Sequence, residues 1–191
     1  MHKKLLFVVV ALSLLLTACT DSDVSTVKQG TMGGYKTTTV GNAFDGSFDS
    51  PKWTAFKGEK GERVVEFNGL ISQRTHDSVK ADVLKSIEDI RNQSGNDSLA
   101  QTYYVQMTTH LVGEAGYQTL YEAFAQEGEA TLDTYKTIFM QAFDEKGWPV
   151  GTAATAQWIV SPDGKEFQLT HLSSPAWVNV KYEDILKVLY R

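Results

Sequence analysis

Cysteine is nearly absent: Cys19 is the only one in 191 residues. That excludes an intrachain disulfide framework and any cysteine-cluster zinc or iron–sulfur site. Basic charge is in deficit, with 18 Lys and Arg against 23 Asp and Glu and an isoelectric point near 5.4, so the surface as a whole offers no electrostatic pull on nucleic acid. The apolar run Leu5 to Leu16 has twelve residues, too short for a membrane-spanning helix of ~20. Motifs of common catalytic sites are also missing. There is no Gly-x-Ser-x-Gly elbow, no phosphate-binding Gly-x-x-x-x-Gly-Lys loop, and no His-x-x-x-His or Glu-x-x-His ligand pair. What is present, 42% hydrophobic and 11% aromatic residues, suffices to bury the core of one ordinary domain.

The N-terminus carries an address. Met1-His2-Lys3-Lys4 is basic, Leu5 to Leu16 is apolar, and Thr17-Ala18-Cys19 supplies small residues before a break, the layout of a secretory signal peptide over residues 1–18. Leu16-Thr17-Ala18-Cys19 resembles the lipobox of bacterial lipoproteins. The resemblance covers the signal segment alone. It implies cleavage between Ala18 and Cys19, a thioether-linked diacylglycerol on the Cys19 sulfur, and acylation of the new amino terminus. Several acyl chains anchor stably where one is marginal, because each buried CH₂ contributes ~0.8 kcal/mol. The residue after Cys19 is Thr20 and not Asp, which by the same resemblance implies transfer to the outer membrane, facing the periplasm. Loss of residues 1–18 removes Lys3 and Lys4 and leaves 16 basic against 23 acidic groups, a balance of −7.

Residues 19–38 read as the lipidated cysteine and a tether. From Thr20 to Thr38 they are rich in Ser, Thr and Gly without an apolar period, and as flexible coil they would span roughly 25 Å. Residues 39–191 then read as one globular domain. Val40, Ala43 and Phe44 fit one face of a short helix capped by Thr38 or Thr39, and Asp49-Ser50-Pro51 breaks the chain. Lys52–Phe56 and Arg63–Ile71 flank a polar, glycine-containing turn and predict a hairpin with Val65, Phe67 and Gly69 on one face and Val64 and Glu66 on the other.

Val79, Val83, Ile87 and Ile90 recur at helical spacing within Val79–Gln93. A second helix capped by Asp97 or Ser98 fits Leu99, Tyr103, Met107 and Leu111, with an interruption at Gly113 or Gly116. Thr102–Val112 also suits a strand, and residues 131–143 fit either period. Ala156–Val160 and Glu166–Leu172 flank Ser161-Pro162-Asp163-Gly164-Lys165, where Pro162 fits the first central turn position and Gly164 one of positive φ. Lys181–Tyr190 reads as a terminal helix with Ile185, Leu186 and Leu189 inward.

This order predicts an α+β fold, an antiparallel sheet built from hairpins with helices packed on one face. Over the hairpins and Val40–Phe44 it is distantly similar to small α+β envelope domains of the outer-membrane assembly lipoprotein and β-lactamase-inhibitor-protein type. That likeness is architectural and carries no functional residue across.

No catalytic residue, metal site or cofactor is expected. His76, His110 and His171 fall on a loop, a helix and a strand, and read as solvated or core histidines. The carboxylate pairs Glu127/Glu129, Asp144/Glu145 and Glu183/Asp184 read as solvated turns and caps. Trp148 and Trp177 lie beside Pro149 and Pro175 near strand ends, and are the candidate recognition residues, since partly exposed Trp dominates binding hot spots.

The expected function is a non-catalytic, lipid-anchored envelope protein that binds another envelope component, a protein, through a sheet face or edge. It would touch the membrane through its N-terminal lipid and would not bind nucleic acid. The alternatives are an anchored small-ligand or lipid carrier, which needs an enclosed apolar pocket of ~300 Å³ or more, and a hydrolase using carboxylates with His76 or His171.

Overall fold

A computed structural model describes residues 21–125, 130–177 and 180–191. Period-two alternation builds the sheet. Arg63–Ile71 (β2) buries Val65, Phe67, Gly69 and Ile71, and Ala153–Val160 (β3) buries Ala154, Ala156, Trp158 and Val160. The two strands pair antiparallel with Val65 opposite Trp158 and Phe67 opposite Ala156, so both apolar sets share a face. Phe48–Lys57 (β1) and Phe167–Ser173 (β4) flank them, giving the antiparallel order β1-β2-β3-β4. The expected α+β class with hairpins over 52–71 and 156–172 is therefore observed.

The β3–β4 turn closes as its residues dictate. Gly164 takes φ 74° and donates its N–H to the Ser161 carbonyl at 2.9 Å. β1 begins four residues before Lys52, running through Asp49-Ser50-Pro51, which had read as a chain break. An edge strand tolerates Pro51, whose missing N–H takes nothing from the ladder.

The chain divides into two compact units, where the sequence reading had one domain. The sheet unit comprises the described residues up to Leu70 together with Ala153–Arg191. Its apolar sheet face is covered by the helices over 21–29 (α1), Val40–Ser47 (α2) and Tyr182–Leu189 (α6). Phe44 of α2 lies at its centre, 5.0 Å from Phe67 and 5.1 Å from Trp158 between ring centroids. Trp53 of β1 stacks on Trp158 at 5.4 Å. From α6, Ile185, Leu186 and Leu189 are buried, and Tyr190 meets Tyr35 at 4.7 Å. Thr39 caps α2 by accepting the Asn42 N–H.

The flexible tether over 20–38 is overturned for residues 21–38. Residues 21–29 are helical, with Val27 fully buried and Asp23 nearly so. Arg63 grips both Asp23 carboxylate oxygens, one at 3.0 Å through Nε and the other through Nη2, and Thr26 Oγ1 donates to the Gly164 carbonyl at 3.2 Å. Lys28 pairs with Asp45 at 2.8 Å and lies over the Trp53 ring. α1 also presses against α2. A Cβ on Gly41 would come 2.9 Å from the Lys28 carbonyl oxygen, so only glycine permits that approach. A short helix is marginal alone, and these contacts supply the stability that propensity does not.

The helical unit, Ile71–Thr152, is inserted between β2 and β3. Its ends are clasped by two 2.9 Å bonds, Ile71 N–H to the Thr152 carbonyl and Gly151 N–H to the Ile71 carbonyl. Gln73–Ser94 (α3) starts six residues before Val79, because Ser72 caps it by accepting the Thr75 N–H. Asp97–Phe124 (α4) is capped by Asn96, whose side chain accepts from Ser98 and Leu99, and not by Asp97 or Ser98. Of the two candidate interruptions it is Gly113 that breaks the helical path, at φ 74° and ψ 169°. Leu132–Lys146 (α5) resolves the ambiguity over 131–143 in favour of helix. Thr131 and Thr134 form a capping box, and Ile138, Phe139, Ala142 and Phe143 fall on one buried stripe. α4 packs on both α3 and α5, with Tyr104 and Phe139 5.7 Å apart. These helices form a core of their own. No described helix is long and apolar enough to cross a membrane.

Candidate functional site

Both tryptophans expected at a recognition surface are in the interior. Trp148 and Trp177 are each 6% exposed. Trp177 belongs to a short 3₁₀ turn in the sheet unit and meets the Phe48 ring edge-on at 6.3 Å. Trp148, in the helical unit, adopts φ 52° and offers its carbonyl to His76. Proximity to a proline at a strand end made these residues look exposed, but long-range neighbours cover them.

His76 lies in the first turn of α3, not on a loop, and is 4% exposed. Its Nδ1 is 3.1 Å from the Trp148 carbonyl and its Nε2 3.1 Å from Asp144 Oδ1. Lys80 donates to the same Asp144 oxygen at 2.5 Å, and this hydrogen bond, followed by that from His76, holds the Asp144 carboxyl below the usual carboxylate range. A hydrolytic His–Asp pair presents its second ring nitrogen to a nucleophile or water. Here that nitrogen faces a backbone carbonyl, which has no proton to give, so the trio acts as a clamp between α3 and the end of α5.

His110 is exposed on α4. His171 is exposed on β4, 2.9 Å from Ser173 Oγ. Glu145 accepts from Gln141, while Glu183 and Asp184 occupy the exposed first turn of α6, where Asp184 pairs with Lys187. Glu127 and Glu129 lie outside the described residues. Among the described residues no three His, Cys, Asp or Glu side chains are placed to hold a metal ion.

The surface with the most organised chemistry is the solvent side of the sheet. Glu66 and Asn68 of β2 and Thr155 and Gln157 of β3 point there, with Glu66 opposite Gln157 and Asn68 opposite Thr155. Gln157 donates to Glu66 Oε2 at 2.6 Å and Asn68 to Glu66 Oε1 at 2.8 Å, while Thr155 donates to Asn68 Oδ1 at 2.8 Å. Both Glu66 oxygens are thereby engaged and the four side chains are fixed in place. β4 extends this surface, with His171 opposite Gln157 and Ser173 opposite Thr155.

At one end of the polar ladder the surface turns apolar. Ile159, opposite Val64, is 39% exposed. Phe56 is 43% exposed, and alternation from the inward Trp53 puts it on the same side. Counting back from the Gly58–Glu62 bond that closes the β1–β2 turn brings Phe56 beside Val64. The alternation of Arg63–Ile71 signals this face in the sequence, since it sets Val64 and Glu66 opposite Val65 and Phe67. No local pattern marks Phe56 and Ile159, because exposure depends on what covers a face.

The sheet edges are less suited to pairing. β1 carries Pro51, Lys52 and Lys57, residues that block strand addition. β4 is bulged where its register shifts opposite Gln157 and Trp158, and Thr170 Oγ1 takes the Gln157 carbonyl at 3.2 Å.

Among the described residues, each unit carries an open groove. One of about 560 Å³ in the sheet unit is lined by Asp21, Lys28, Asn42 and Asp45 among others. The second, about 430 Å³ in the helical unit, is lined by Ser98, Thr102, Tyr117 and Tyr135 among others. Their linings mix polar and apolar surface and lie open to solvent, where a lipid carrier needs an enclosed apolar pocket. No protein-family profile, curated protein or solved structure matches the chain.

Proposed function

We propose that the chain is a non-catalytic bacterial lipoprotein, anchored through acylated Cys19 and carried to the outer membrane, whose sheet unit binds another envelope protein. The anchor rests on the lipobox resemblance of Leu16-Thr17-Ala18-Cys19 and on Thr20 after it. The observation that carries the binding role is the uncovered sheet face, where exposed Phe56 and Ile159 adjoin the fixed ladder of Glu66, Gln157, Asn68 and Thr155. Pre-positioned polar groups cost little ordering entropy on association, and adjacent apolar side chains supply the desolvation that drives it. A face of this kind suits a folded partner better than an extended peptide, because β1 and β4 are both blunted as edges.

Crosslinking in native envelopes tests the reading. The lipidated chain is expected to capture one discrete protein at near-stoichiometric yield, and a Phe56→Ala/Ile159→Ala variant to lose most of it. Lys187→Ala on the exposed side of α6 should not. Equal capture by all three forms, or none above background, would reject this face as the binding surface.

A further inference from the structure

Asp21, two residues after Cys19, already lies in α1. Two residues of extended chain span at most ~7 Å, against the roughly 25 Å of a nineteen-residue coil. From Asp23 onward the chain is held. Arg63 at the start of β2 grips the Asp23 carboxylate and donates through Nη1 to the carbonyls of Ser161 (3.2 Å) and Pro162 (3.0 Å). Thr26 is tied to the Gly164 carbonyl. The first turns of α1, the start of β2 and the β3–β4 turn therefore form one rigid corner.

We propose that this corner of the sheet unit rests on a phospholipid headgroup surface, held there because at most two residues separate it from the anchor. The inference depends on Cys19 carrying the anchor. The two turns at this corner carry Lys57, Lys60 and Lys165 against Glu59, Glu62, Asp163 and Glu166, with Asp21 beside them. That acidic excess disfavours a strongly anionic surface and suits zwitterionic headgroups, whose ammonium groups can meet it. The opposite end of the same strands, where Leu70 pairs with Ala153, is seven residue steps along β2 from Arg63, or ~23 Å. A partner of the sheet face must then be met within about that height of the bilayer, not at the end of a long tether.

The test uses the full lipidated protein in phosphatidylethanolamine vesicles doped with a nickel-chelating lipid. Spin labels are placed singly by Lys165→Cys at the corner and Ser173→Cys at the far end of β4, both exposed positions. Because lipidation consumes the Cys19 thiol, the introduced cysteine is the only one left to label. Mass spectrometry first reads the acyl mass on Cys19.

The expected result is strong nickel-induced relaxation at 165, weak relaxation at 173, and loss of the difference when a Gly/Ser segment of about ten residues is inserted between Thr20 and Asp21. With Cys19 acylated, equal relaxation at the two positions or none at 165 overturns the inference and leaves the anchor standing. A difference that survives the insertion overturns the short link to the anchor as its cause. An unmodified Cys19 removes the anchor itself, and with it the premise.

Discussion

Arg63→Ala should be among the most damaging substitutions at the margin of the sheet unit, and more damaging than Asp23→Ala. The Asp23 side chain is 8% exposed and Arg63 29%. Truncating Arg63 leaves a carboxylate in the interior without its guanidinium, which costs about 3 kcal/mol or more. It also removes the donors to the Ser161 and Pro162 carbonyls. Truncating Asp23 leaves a partly solvated guanidinium that keeps both carbonyls, a loss of about 1–1.5 kcal/mol. The double variant should cost less than the two single costs together, by about 1–2 kcal/mol, because its second truncation has no partner left to orphan.

Urea unfolding of the chain from Thr20 onward measures all three, with Trp53 and Trp158 fluorescence reporting on the sheet unit. A change in midpoint at constant slope is read as stability. Equal costs for the two single variants, or no cost for either, would refute the docking of α1 through this pair. The rigid corner would fall with it.

Other perturbations probe separate contacts. Gly41→Val should loosen α1, since its Cβ would stand 2.9 Å from the Lys28 carbonyl oxygen; amide hydrogen exchange over residues 23–29 should accelerate while that of β2 and β3 holds. Gly113→Ala forces a side chain into φ 74°, with an expected loss of about 1 kcal/mol or more, visible as a lower urea midpoint for helical circular dichroism. Asp144 has a folded pKa below its unfolded value, through Lys80 first and His76 after. Its stabilisation is therefore complete above the unfolded value of about 4 and lost as pH falls through the folded one. Half exposed, it should contribute under about 1 kcal/mol, and Asp144→Asn should flatten the acid side of the stability–pH curve by that amount.

Local chemistry was legible wherever it acts through near neighbours. The alternation of Val65 and Phe67, the Pro162–Gly164 turn, the stripe of Val79 and Ile87 and the apolar side of Lys181–Tyr190 each follow from a repeat period or a turn dihedral, so these elements could be read from the chain alone. Even the ambiguous 131–143 held its answer locally, in the Thr131 cap and the Ile138–Phe143 stripe. Residues 21–38 and the two tryptophans were misread for the opposite reason. Asp23 finds Arg63 forty residues away and Thr26 finds Gly164 a further hundred on, and no Ser/Thr/Gly composition announces either.

The α+β class and the hairpins thus belong to the sequence by itself, because period and turn geometry are properties of short segments. Tertiary structure decided that the supposed tether is a docked helix, that Trp148 and Trp177 are interior, and that Phe56 and Ile159 face solvent. Burial is a property of what lies opposite a residue, and what lies opposite is brought there by distant parts of the chain.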